Sequence, residues 1–176
     1  MEFQTNRLTT YLSDENFVNR IERCNQDAPG YVNSVQRLSE AVIEHPEITP
    51  ADMELLIKLI YRWKDPNPES LEVVRRKDGK AIGYFQLLHT DTDTPYIGIE
   101  LLYEFRHRGY GTELLQEVTK ALRVNGRYKE LRYVVSPQNG PSVHLIEKCG
   151  GILLQPEFPH QHFFYREYKI TLDDGL

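Results

Sequence analysis

At 176 residues, 40% of them hydrophobic and 11% aromatic, the chain has the size of one compact domain and enough apolar material to bury a core without metal or disulfide staples. Its 21 Lys and Arg against 26 Asp and Glu leave a net charge of −5 with no basic tail or stripe. That argues against nucleic-acid binding through phosphates and favours a cationic or neutral partner. Cys24 and Cys149 offer neither a disulfide framework nor metal-ligand spacing. The N-terminus lacks a signal-peptide profile, and no apolar run approaches the roughly 20 residues that cross a bilayer. The expectation is a cytoplasmic protein with no membrane partner.

Residues 7–12 read as a strand, and Ser13-Asp14 supplies the start of a helix running to about Arg23. After a turn-rich stretch, Val35, Leu38, Val42 and Ile43 recur at helical spacing. Thr49-Pro50 opens a third helix, whose Met53, Leu56, Ile57 and Ile60 share a face and which stops near Trp63. From residue 70 the period changes to two: 70–76 and 81–89 form a hairpin about Lys77–Lys80, and 96–103 is the next strand. A glycine-punctuated turn leads to a helix over 112–124, with Leu114, Leu115, Val118, Ala121 and Leu122 as its stripe and Asn125-Gly126 as its stop. A strand at 130–135, a short helix at 139–149 and strands at 151–154 and 162–170 complete the pattern. The order predicts a single α/β (α+β) domain over 1–176. Its core is a mixed, mostly antiparallel central sheet flanked by helices, with a helical insertion at about 14–63. His160 and His162, one residue apart with no third ligand near, read as a polar turn and not a metal site.

The sharpest signal is Arg106-His107-Arg108-Gly109-Tyr110-Gly111, set between a predicted strand and a predicted helix. Two glycines allow a tight turn and close backbone approach, and the free amides and dipole of the following helix form an anion site suited to phosphate. It is neither a Rossmann fingerprint, since Leu114 takes the third glycine's place, nor a P-loop, since Gly111 precedes Thr112 with no Lys. Taken alone, the motif fits a plain strand-to-helix turn with two solvated arginines equally well.

The strand YIGIELLYEF followed by RHRGYGTELL resembles the acetyl-CoA-binding signature Arg/Gln-x-x-Gly-x-Gly/Ala of the GNAT superfamily of N-acyltransferases. A second block, Asn139-Gly140-Pro141-Ser142 opening a helix that ends Leu145-Ile146-Glu147-Lys148-Cys149-Gly150, resembles the superfamily's Asn-x-x-Ser/Ala…Leu-Tyr-Glu-Lys-x-Gly-Phe segment. The matching blocks cover about 96–151, and the strand order extends the likeness over 70–170. The resemblance implies a GNAT-like sheet and acetyl-CoA as co-substrate. It also implies that main-chain groups of Leu101, Leu102 and Tyr103 pair with the pantetheine arm. Amides of Arg106, His107, Arg108, Gly109, Tyr110, Gly111 and Thr112 would hold the pyrophosphate, and Asn139, with Ser142 in the same block, would lie beside the pantetheine or the thioester. By its own chemistry Asn139 is equally a helix cap.

Transfer to an amine needs an uncharged nitrogen, so a base or a water chain must take the proton. Glu100 is the candidate, because alternation places it on the strand face opposite Ile97, Ile99 and Leu101. An ordinary Glu on a half-solvated sheet is the alternative, and Glu104 reads as solvated. Ile146 stands where the superfamily often has a Tyr that protonates the leaving thiolate, and Gly151 where Phe often follows the glycine. Water or a Tyr from elsewhere would then serve as acid. Three functions follow in order: an N-acetyltransferase acting on a primary amine of a small molecule or a protein N-terminus, a CoA-binding module that has lost catalysis, and an interaction domain. The insertion at 14–63 would cap the acceptor site or form a homodimer contact.

Overall fold

A computed structural model describes residues 1–29, 49–51, 65–154 and 166–173. In chain order these form β1 (Leu8–Leu12), α1 (Glu15–Asn25), β2 (Glu69–Arg75), β3 (Lys80–Leu88), β4 (Tyr96–Leu101), a 3₁₀ turn (Tyr103–Phe105), α2 (Tyr110–Asn125), β5 (Glu130–Val135), α3 (Gly140–Lys148), β6 (Ile152–Leu153) and β7 (Arg166–Thr171). The seven strands make one sheet in the order β1-β2-β3-β4-β5-β7-β6. Every neighbouring pair is antiparallel except β4 and β5, which are parallel. The mixed sheet flanked by helices is the architecture expected from the sequence. The helices expected at 35–45 and 50–63 lie outside the described residues apart from Pro50 and Ala51, which are helical, as does the start of the strand expected at 162–170.

Local chemistry sets the boundaries. Asp14 caps α1 by accepting from the Phe17 amide at 2.9 Å, and its acid suits the helix dipole. The β2–β3 hairpin closes through Asp78, whose carboxylate accepts from Arg75 Nε at 3.1 Å and from the Lys80 amide at 3.2 Å, while Gly79 takes φ +67°. β4 is shorter than expected, because Leu102 (φ −53°, ψ 136°) leaves the strand and turns the chain into the 3₁₀ segment. α2 starts two residues early, entered through Gly109 at φ +78° and left through Gly126 at φ +66°. These are left-handed conformations that cost glycine nothing.

The main core lies between the sheet and α2 and α3. Leu114, Leu115, Val118 and Leu122 of α2 and Ile146 of α3 pack there against Leu71, Val73, Ile82, Phe85, Ile97, Leu131, Tyr133 and Val135. Deleting a leucine from such a core costs about 2–5 kcal/mol. The other face is polar where β4 carries Glu100, and α1 covers it with Phe17, Val18 and Ile21 against Tyr84. Among the described residues no helix is long and apolar enough to cross a membrane.

Candidate active site

The parallel strands β4 and β5 share the single register pair Tyr96–Arg132, reinforced by the Arg132 amide donating to Pro95 O at 2.9 Å. β4 then runs to Leu101 and β5 to Val135 without a further ladder pair, so the strands part toward their carboxyl ends. Ligands of open α/β sheets bind outside the carboxyl ends of strands, where the topology switches direction. The first turn of α2 packs there against the body of α3 and the end of β4: a Cβ on Gly111 would lie 3.4 Å from Leu145 Cδ2 and 3.9 Å from Leu101 Cδ1. A Cβ at Gly111 would thus meet the ends of two leucine side chains at ordinary contact distance, whereas Gly109, at φ +78°, supplies the turn.

Glu100 stands at this parting, on the face opposite Ile97, Ile99 and Leu101, as the alternation requires. It is an ordinary exposed Glu in neither environment nor contacts. Its side chain is 27% accessible and accepts from Arg106 Nη2 at 2.7 Å and from the side-chain amide of Asn25. Burial pushes its carboxyl above the usual carboxylate range, and Glu22 adds to this. Arg106 and the hydrogen bonds from Asn25 and Arg106 oppose it without cancelling it. The result is a carboxylate that holds a proton more readily than a surface Glu while keeping a cation beside its charged form, which suits proton acceptance. Glu104 pairs with Lys80 at 2.7 Å in an exposed ion pair, as expected of a solvated residue.

The main-chain groups of Leu101 to Tyr103 have partners within the chain. Leu101 O accepts from Asn25 Nδ2 at 3.0 Å and from Arg106 Nε at 3.1 Å. The Leu102 amide donates to Ile82 O at 2.8 Å, and the Tyr103 amide donates to Asn25 Oδ1 at 3.0 Å. Asn25, the last residue of α1, therefore clasps the end of β4. The sequence reading passed over it because 75 residues separate it from Glu100 and nothing local marks it.

The turn from Arg106 to Thr112 divides into two parts. The Arg106 amide closes the 3₁₀ segment on Tyr103 O at 3.1 Å, so it is committed, and this residue contributes its guanidinium instead. Beyond it, His107 (φ 58°) and Gly109 (φ +78°) turn the backbone. The first bond within α2 runs from the Glu113 amide to Gly109 O at 3.1 Å, so the amides of Tyr110, Gly111 and Thr112 precede the helix ladder and face outward, where an anion would meet them. His107 and Arg108 are exposed and Tyr110 is buried. Arg7, also missed by the sequence reading, braces this turn. Its Nη1 donates to Arg108 O at 3.0 Å, its Nε to Glu113 Oε2 at 2.5 Å, and its guanidinium lies 4.5 Å from the Tyr110 ring centroid.

Across the parting, Asn139 caps α3, its Oδ1 accepting from the Ser142 amide at 3.3 Å; it is the cap that its chemistry allowed. Ser142 also shares a hydrogen bond with the hydroxyl of Tyr133, whose pKa burial pushes up to about 12 and which senses the charge of Glu100. Ile146 is fully buried in the main core, and a Cβ on Gly151 would fall 2.5 Å from Ile146 Cγ1. Ile146 thus faces the core, with Gly151 folded against it, and the Phe that the superfamily often carries at this position would have no room here.

Comparison with known proteins agrees with this geometry. Residues 21–152 match the family model of the acetyltransferase (GNAT) domain. Among solved structures, a GNAT-family acetyltransferase from Bacillus anthracis superposes with a TM-score of 0.62 at 18% identity, over 98% of this chain and 99% of that one. A dodecameric spermidine N-acetyltransferase from Vibrio cholerae gives 0.61 at 16% identity, over 96% and 95%. An acetyltransferase from Agrobacterium tumefaciens gives 0.62 at 20% identity, over 97% and 94%. No curated protein sequence matches significantly. With three quarters of its length under the family model and its sheet laid out as in these enzymes, the chain belongs to the GNAT acetyltransferase family.

Proposed function

We propose that the protein is an acetyl-CoA-dependent N-acetyltransferase acting on a primary amine of a small molecule or a peptide N-terminus, with Glu100 as the base. The observation that carries this reading is the half-buried Glu100, paired with Arg106 at 2.7 Å, at the parting of β4 and β5 and beside the outward amides that open α2. Those residues suit a CoA thioester. Tyr110, Gly111 and Thr112 offer converging N–H groups to a diphosphate, and the space between the parted strands suits an extended arm. Asn139 and Ser142 border that space from α3.

When bound, acetyl-CoA supplies an activated acetyl group on a good leaving thiolate. The chain's own residues do the rest. Glu100 receives the ammonium proton, directly or through water, so that the nitrogen can attack. Arg106 keeps its charged form available. Tyr133, neutral throughout the physiological range, would offer the departing sulfur a hydrogen bond from β5, the role for which α3 has only Ile146. A net charge of −5 suits a cationic amine, and the V. cholerae relative is named for spermidine. The buried Ile146 favours a second reading, a CoA-binding module without turnover.

Titrating the chain with acetyl-CoA while following thermal unfolding, then assaying an amine panel, separates the two. The enzyme binds and transfers; the module only binds. Because the Glu100 carboxyl sits above its usual range, the base is lost to protonation at a higher pH than for a surface Glu. The acid limb of kcat/KM is therefore expected above about 4.5, the ordinary Glu value. Glu100→Gln is expected to lower the rate by about 10²–10⁴-fold. Wild-type turnover in Glu100→Gln across pH 6–9 would remove Glu100 from the mechanism.

A further inference from the structure

Asn25 is more completely buried than any other polar side chain among the described residues, at 0% exposure. A buried amide without partners costs several kcal/mol, and this one has three. Its Nδ2 donates to Glu100 Oε1 and, at 3.0 Å, to Leu101 O, and its Oδ1 accepts from the Tyr103 amide at 3.0 Å. All three lie within four consecutive residues at the end of β4, so the amide plane is fixed at three points. One point is the carboxylate named as the base.

We infer that Asn25 is a positioning residue for Glu100: the end of α1 aims the carboxylate into the parting of β4 and β5 and donates to its charged form. The inference rests on the acetyltransferase reading above for the meaning of Glu100, though the clasp itself does not. Two donors reach Glu100 and they differ in kind. Arg106 belongs to the turn that would receive the diphosphate and is 28% accessible. Asn25 is enclosed and cannot leave without breaking two main-chain bonds. Arg106 supplies charge, and Asn25 supplies direction.

The groups that face Glu100 fix the sign of its titration. Arg106 favours the ionised form, and Glu22 of α1 disfavours it. Tyr84, opposite Glu100 on β3, donates to Glu22 Oε1 at 2.9 Å; Tyr133, a neutral phenol on the core face of β5, senses the charge of Glu100 through the sheet. Glu72, with Arg20 near it, stands one strand further off, opposite Tyr84. Against this set Asn25 is a neutral donor to the carboxylate, and its loss raises the Glu100 pKa.

The test uses the full chain with Asn25→Asp, which keeps an acceptor for the Tyr103 amide but turns an oxygen toward Glu100, and Asn25→Ala, which removes the clasp. Two readouts are needed: the pH profile of kcat/KM, and the titration of ¹³C-labelled glutamate carboxyls, with the Glu100 signal assigned by Glu100→Gln. Both midpoints are expected to move up, by about one unit or more in Asn25→Asp, which is about a tenfold loss of rate on the acid limb. Acetyl-CoA affinity is expected to stay as in the wild type. A purely structural asparagine would lower the melting temperature and scale the rate equally at every pH. That result, or Glu100 midpoints coinciding in all three proteins, overturns the inference. If the wild type neither binds acetyl-CoA nor transfers acetyl, the enzyme reading falls and this role with it. A normal wild-type profile with an unmoved Glu100 titration removes Asn25 alone.

Discussion

In the proposed mechanism Tyr133 takes the part that a Tyr at position 146 would otherwise play. α3 presents Ile146 to the core, while β5 carries a phenol whose ring packs in the same core and whose hydroxyl shares a hydrogen bond with Ser142. With its pKa pushed up to about 12, above the roughly 8.5 of a free thiol, Tyr133 keeps its proton and would be able to donate it in a hydrogen bond to the leaving sulfur. Tyr133→Phe preserves the ring and deletes only that donor. We expect kcat to fall about 10- to 100-fold, at or below the range for losing one aimed donor, with acetyl-CoA affinity held. Equal kcat values for the two proteins would return the task to water. Placing a Tyr at 146 would be a poorer route, because overfilling a packed core costs about 1–3 kcal/mol.

At the scale of elements, the N-terminal segment ties down the start of α2. Glu113, in the first turn, accepts from Thr5 Oγ1, from the Arg7 amide at 3.2 Å and from Arg7 Nε at 2.5 Å. Burial works against its ionisation, but the bonds from Thr5 and Arg7 outweigh burial and hold it below 4.5. A carboxyl lowered in the folded state stabilises above its unfolded value, and that stability is lost as pH falls through the folded one. Glu113→Gln is therefore expected to lower the melting temperature at pH 7 by a few degrees, about 2–4 °C for each ~1 kcal/mol. The difference should shrink toward pH 4; a pH-independent difference would assign the effect to packing instead. These contacts also mark what could be read in advance. The strand and helix order was legible because alternation, capping residues and glycines act within a few positions. The turn and Glu100 were legible because they form one contiguous block. Asn25 and Arg7 were not, since each acts across 75 residues or more through side chains whose types signal nothing locally. The end of β4 was misplaced by two residues because Leu102 and Tyr103 suit a strand, and only the pairing of the Leu102 amide with Ile82 O and the Asn25 clasp turn the backbone there.

Seen whole, the sheet is two pieces joined at one seam. β1 to β4 form an antiparallel set, β5, β7 and β6 form another, and a single register pair, Tyr96–Arg132, links them. α2 packs against both sets through the shared core, so the pieces are fastened at the closed end and by the helix, and no ladder joins them at the open end. A ligand lying in that seam would act as the missing ladder, lending hydrogen bonds to strand edges that no neighbouring strand supplies. Its stabilisation would reach about 2.7 kcal/mol at a hundredfold excess over Kd. Amide hydrogen exchange should then slow on the facing edges of β4 and β5 together, and little on β1 or β6 at the rims. Slowing confined to the turn at 106–112 would mean that the anion site works by itself. Slowing on both edges would mean that the protein leaves one strand's place vacant and that its substrate completes the sheet.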